Sequence, residues 1–111
     1  MKILAIEQEV TDRSPDDFAP YLQEEVSHAW QLYTQGIIRE LYFHQESHTA
    51  VIIMECSSAD EAVTILGKLP LVRAGLIRFE VIPLVPYDGF TGLFGGPGSE
   101  PPPQASTDET N

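Results

Sequence analysis

Positive charge is scarce in this chain. Six Lys plus Arg stand against seventeen Asp plus Glu, a formal net charge of −11 over 111 residues. Such acidity repels phosphate backbones and anionic headgroups, so neither nucleic acid nor an anionic membrane is an expected partner. Cysteine is scarcer still: Cys56 stands alone, which excludes an internal disulfide and suits a reducing cytoplasm. With no basic neighbour in sequence, Cys56 fits an inert core thiol. No apolar run approaches the roughly 20 residues of a membrane span. Met1 leads straight into a strand pattern without a signal-peptide core, so a cytoplasmic protein is expected. Also absent are a glycine-rich phosphate loop, a nucleophile elbow and a CxxC pair.

What the chain has instead is Ala50–Cys56, AVIIMEC, its longest apolar run. Val51 and Ile53 alternate to one face, and Ala50, Ile52 and Met54 to the other. A strand apolar on both sides is central, with a layer packed on each face. Lys2–Val10 forms another strand, with Ile3 and Ala5 opposed to Leu4 and Ile6 and an acidic end at Glu7 and Glu9. Ile37–His44 and His48–Cys56 make a hairpin around Gln45-Glu46-Ser47. Leu76–Pro83 is the fourth strand, its odd face Ile77, Phe79 and Val81.

Two helices separate these strands. Ser14-Pro15-Asp16-Asp17 is a helix start, with a capping serine, a proline at the first helical position and acids at the positive end of the dipole. The helix is expected to run to about Gln35 and close on Gly36. At 100° per residue its apolar stripe is Phe18, Leu22, Val26, Ala29 and Tyr33, with Trp30 at one margin. Glu25 falls inside the apolar arc, between Leu32 and Phe18, and His28 lies one turn on. Ser58-Ala59-Asp60-Glu61 is a capping box opening a second helix to about Leu69.

The order β-α-β-β-α-β predicts an α+β, ferredoxin-like plait, a four-stranded antiparallel sheet with two helices on one face. The other face is expected to bear Ala50, Ile52, Met54, Leu4 and Ile6. A patch so large asks for a cover, and pairing two sheets face to face supplies one, so a homodimer, a dimeric α/β barrel, is expected. One domain over residues 1–96 is expected, with an aromatic arm at 84–94 that packs over the barrel or on the partner subunit. Residues 97–111, PGSEPPPQASTDETN, hold four prolines and three acids and no large apolar residue, and are expected to be a disordered tail.

The helix ending at Gly36, then Ile37-Ile38-Arg39, Ser58-Ala59-Asp60-Glu61, Leu69-Pro70-Leu71 and Ile77–Leu84 together resemble the muconolactone isomerase-like branch of the dimeric α/β-barrel superfamily. The similarity covers about residues 18–84. It implies small-ring chemistry in a pocket of each subunit, with Glu25 matching the helix glutamate and Arg39 the arginine after the glycine. Phe43 stands where that pattern has a second arginine, and Tyr42 where it has a tryptophan. The loop before the last strand is about two residues longer. These departures point to a relative with another substrate.

Glu25 is thus the first catalytic candidate, since a carboxylate in an apolar pocket is poised for proton transfer. The plainer reading is a rim glutamate paired with Arg39 or Arg78. Arg39 is a candidate for steadying an anionic oxygen, or simply neutralises Glu25 or Glu40. His28 is a candidate second acid/base, or a solvated edge histidine. Tyr42, Trp30 and Phe79 are candidates to line the pocket, although Trp30 and Phe79 are core residues first by spacing. His44 and His48 flank the hairpin turn without enough ligands for zinc, so no metal is expected, and no bound cofactor. Two functions stay open: a cofactor-independent isomerase or cyclase acting on a small hydrophobic compound, and a non-catalytic ligand-binding or accessory dimer.

Overall fold

The computed structural model describes residues 1–10 and 12–94; the tail expected at 97–111 lies outside them. The strands are β1 (Lys2–Glu9), β2 (Ile38–Phe43), β3 (Ala50–Glu55) and β4 (Ile77–Leu84). The helices are α1 (Pro15–Phe18), α2 (Leu22–Thr34), α3 (Ala59–Leu66), α4 (Pro70–Arg73) and α5 (Thr91–Phe94), with a 3-10 turn at Ala19–Tyr21 between α1 and α2. The sheet order is β2-β3-β1-β4, antiparallel throughout. This is the ferredoxin-like plait that the sequence predicts.

Its core lies between the helices and one sheet face. Ile3, Ala5, Ile38, Ile52 and Met54 pack there against Leu32 of α2, Ala62 and Leu66 of α3, and Leu69. The pairing of Ile3 with Met54 and of Ala5 with Ile52 fixes this. One expectation is thereby corrected: Ala50, Ile52 and Met54 lie on the helix side. The face left without helices bears Leu4, Ile6, Val51 and Ile53 instead, because cross-strand partners share a face and Leu4 pairs with Ile53. The uncovered face is still apolar. Cys56 is buried, and burial first of all pushes its thiol pKa up.

The first helix is also not continuous. Pro20 sits in the 3-10 turn, where it offers no N–H and crowds the preceding turn. A 3-10 turn advances about 120° per residue rather than 100°, so the phase carried from Phe18 is lost. In α2, Leu32 is buried while Glu25, His28 and Ala29 are half-buried on the same side. Leu22, Val26, Trp30 and Tyr33 are exposed outward. The predicted stripe is therefore correct at Ala29 and wrong at Leu22, Val26 and Tyr33. Gly36 closes α2 at φ +79°, with Ile37 N–H donating to the Leu32 carbonyl at 3.0 Å, the left-handed stop expected of glycine. Ser58 Oγ accepts from Glu61 N–H at 3.1 Å at the start of α3, a cap worth about 1 kcal/mol. The stretch after Leu69 is not loop alone: Pro70 opens α4 at its first position.

The arm beyond β4 does not pack back over its own sheet. Val85, Tyr87, Phe90, Leu93 and Phe94 are all exposed, and its one aromatic pair is internal, Tyr87 edge-on to Phe90 at 4.9 Å.

Candidate functional site

One row across the helix-side face of the sheet defines the site. Phe79 of β4 pairs with Glu7 of β1, and Phe43 of β2 pairs with Ala50 of β3. Glu7 closes the row by accepting a hydrogen bond from Ala50 N–H at 2.8 Å. By alternation Glu7 follows Ile3 and Ala5 onto the core face, so a carboxylate interrupts an otherwise apolar floor. The floor is uncovered at its β2 end, where Leu41 and Phe43 are 46% and 61% exposed. His48, at φ +59° in the hairpin turn, stacks on Phe43 with ring centroids 4.0 Å apart.

From the helix side comes Glu25. Its Oε1 accepts a hydrogen bond from Leu71 N–H at 2.9 Å, at the start of α4. Leu71 belongs to a small cluster with Leu76 and Ile77, against which Phe79, Phe18 and Tyr21 pack. Phe79 thus packs against the cluster that contains Leu71 and is the register partner of Glu7. Burial first raises the Glu25 pKa above its ordinary 4.5; the Leu71 N–H and the field of His28 oppose the rise, and the field of Glu7 adds to it. Glu7 is raised in the same way, by burial first, with the Ala50 N–H and His48 opposing and Glu9 adding.

The expected site residues are divided by this geometry. Glu25, His28 and Phe79 share the helix side. Arg39 is not brought to Glu25: its Nε donates to the Gly36 carbonyl at 2.5 Å. Its charge falls instead on Glu55, whose carboxyl is lowered chiefly by a hydrogen bond from the Met1 amino group, and further by Arg39 and Lys2. The residue sits at an irregularity in the β2–β3 register between Ile38 and Glu40. Such a bulge re-aims the side chain. Tyr42 is on the opposite sheet face and donates to Glu40 Oε1 at 2.6 Å, a bond that raises its own pKa. Trp30 is on the outer face of α2, exposed and stacked on Tyr33 at 5.7 Å. His44 has a structural task, its Nδ1 accepting from Glu46 N–H at 3.1 Å and Ser47 N–H at 3.2 Å. Among the described residues no three His, Cys, Asp or Glu side chains converge as a metal site would require.

Glu7, Phe43 and His48 are the members of this row that sequence reasoning did not assign to the site. The signal for Glu7 was present, since it has the parity of Ile3 and Ala5. Phe43 and His48 needed the hairpin register.

The two raised carboxylates set a pH dependence. A carboxyl with a higher pKa in the folded than in the unfolded state gives a folded chain that holds more protons between the two midpoints. Stability contributed by these groups is therefore present below the ordinary value of 4.5 and lost as pH rises through the folded midpoints. Glu25→Gln removes one such ionisation, so its melting temperature relative to wild type should climb as pH is raised from 4.5 toward neutrality. Thermal melts across that range check this, and a difference that shrinks with pH would contradict it.

Among the described residues no helix is long and apolar enough to cross a membrane. No family profile matches the sequence, and no curated protein matches it. Solved structures do match. Muconolactone isomerase aligns with a TM-score of 0.65 at 17% identity, over 91% of this chain and 99% of that one. The 5-chloro-2-hydroxyhydroquinone dehydrochlorinase of Burkholderia phenoliruptrix AC1100, in complex with 2,5-dihydroxybenzoquinone, aligns with a TM-score of 0.52 at 19% identity, over 77% of this chain and 94% of that one. Identities this low speak to the fold and not to the reaction. In fold, the chain is similar to both of these structures, with its four-stranded antiparallel sheet and helices on one face.

Proposed function

We propose that this chain is a cytoplasmic homodimer that holds a small cyclic organic compound between α2 and the sheet and moves a proton on it. The reaction class is a cofactor-independent isomerisation or cyclisation, with Glu25 as the proton carrier and His28 as the neighbouring acid/base. One observation carries this reading: Glu25 is half-buried over an apolar floor, and burial raises its pKa toward the range useful at neutral pH. Of the two neighbours in fold, one is an isomerase, and the other, a dehydrochlorinase, is complexed with a small ring compound. Leu41, Phe43 and Phe79 offer the apolar contact such a ring needs. The apolar outer face of the sheet is the surface for the second copy. The exposed arm after Leu84 belongs on that partner.

The test is carbon-13 NMR titration of the glutamate side-chain carboxyls. Glu25 should titrate above the ordinary glutamate range; a midpoint at the solvated value, about 4.3, would remove the proton carrier. One observation favours the second reading, a non-catalytic ligand-binding or accessory dimer. Glu25 and Glu7 each already hold a backbone N–H, a structural duty that needs no turnover. In that case the carboxyls would titrate ordinarily while a ligand still shifts the Phe43 and Phe79 resonances.

A further inference from the structure

We propose that the β2–β3 turn is a proton-operated lip on the open end of the floor, pinned by neutral His44 and released when its Nδ1 is protonated. This rests on the reading above for the ligand's place on that floor; the turn and its proton stand apart from Glu25. The turn, residues 45–47, is closed by His44 N–H donating to the Thr49 carbonyl at 2.8 Å and His48 N–H to the His44 carbonyl at 2.9 Å. The Glu46 and Ser47 N–H groups go to a side chain instead. His44 Nδ1 accepts them both, at 3.1 and 3.2 Å. Neither N–H has another acceptor among the described residues.

This arrangement fixes the protonation state. A ring nitrogen that accepts hydrogen bonds carries no proton, so the imidazole is neutral with its hydrogen on Nε2. Imidazolium has a donor at both nitrogens, and a proton on Nδ1 would point at two N–H groups. The ring must then turn away, and both amides lose their acceptor. What the pin holds is the lip. His48 keeps a left-handed φ of +59°, a conformation that a β-carbon disfavours. It stacks on Phe43 at 4.0 Å, which is otherwise exposed at the floor's open end. Releasing the turn frees His48 from that conformation and uncovers Phe43. The groups around His44 are few. Glu46 and His48 belong to the turn, and Tyr42 and Glu40 precede it on the same strand face. From β3 comes Thr49, and continuing the register places Gln8 and then Arg78 beyond it. Among the described residues no carboxylate lies at ion-pair distance from His44, so nothing holds the charged ring in the closed turn.

The experiment is NMR on the full chain from about pH 8 to about pH 5, the range in which imidazoles change charge, with wild type, His44→Asn, His44→Ala and His48→Asn. Asparagine offers Oδ1 to N–H groups two and three residues on, without an ionisable ring; at position 48 it tolerates the left-handed φ. At the upper end of the range, nitrogen-15 shifts of wild-type His44 should show a bare Nδ1 and a protonated Nε2. As the ring gains its proton, the Glu46 and Ser47 amides should lose exchange protection by roughly tenfold beyond the intrinsic pH effect, the scale of one or two hydrogen bonds. The Phe43–His48 ring contact should weaken with the same midpoint. His44→Asn should keep both the amides and the ring contact throughout, and His44→Ala should lose the amide protection at every pH. In His48→Asn the amides should still follow His44. A proton on Nδ1 at the upper end, amides indifferent to the His44 titration, or the same losses in His44→Asn overturns the pin. Released amides with an unchanged Phe43–His48 contact overturn the lip. An ordinary Glu25 midpoint would remove the earlier reading and leave every one of these results standing.

Discussion

Glu25→Gln is expected to leave the chain folded and dimeric while lowering turnover by roughly 10²–10⁴-fold, the usual contribution of a general acid or base. The fold survives because glutamine retains an oxygen for Leu71 N–H, the 2.9 Å bond that ties α2 to the start of α4. What it loses is the ionisable group. Once a substrate is found, the check is kcat measured beside a thermal melt at the same pH. His28→Asn should cost less, since Glu25 is the proton carrier and His28 only the neighbouring acid/base one turn away. Loss of turnover in proportion to loss of folded protein would assign Glu25 a structural role only. Full activity would end its candidacy.

The second large effect concerns the uncovered sheet face. Val51→Asp combined with Ile53→Asp should abolish the dimer without unfolding the subunit. Both positions alternate away from the core that Ile52 and Met54 enter, so the change leaves the helix-side packing intact. Burying an aliphatic side chain is worth about 1.5–3 kcal/mol. In a sheet-to-sheet pair each such loss occurs on both chains, and the new carboxylates add desolvation and like-charge costs. Sedimentation should show wild type as a dimer at micromolar concentration and the variant as a folded 12.3 kDa chain. A wild type that sediments as a monomer would defeat the dimer directly. An unaffected dimer in the variant would move the interface elsewhere, to the exposed arm or the outer stripe of α2.

That outer stripe shows where periodicity alone misleads. Leu22, Val26 and Tyr33 have helical spacing, and Trp30 adjoins them, yet all four are exposed in the single chain. A helical wheel phased from Phe18 does not carry into α2, because the 3-10 turn at Pro20 resets the phase. The anomaly that the wheel did identify, an acid inside an apolar arc, survives the reset. Glu25 is half-buried because its distance from Leu32, seven residues or about two turns, keeps the two on one side of α2.

Strand content, strand order in sequence, the helix start at Ser58 and the stop at Gly36 were all legible, because each depends on neighbours a few residues apart. So was the conclusion that one sheet side would be left apolar. Which residues occupy that side was not legible, since alternation gives two faces per strand and only cross-strand register joins them into a common surface. The same limit governs the site. The sequence alone determined a plait with an oddly placed helix glutamate. Only the tertiary structure set Glu7 opposite Phe79 and against Ala50 on the helix side, and turned Tyr42 to the far face. Only there is Arg39 tied to the Gly36 carbonyl. Residues far apart in the chain share a site through strand pairing and helix packing, and neither is encoded in any local window.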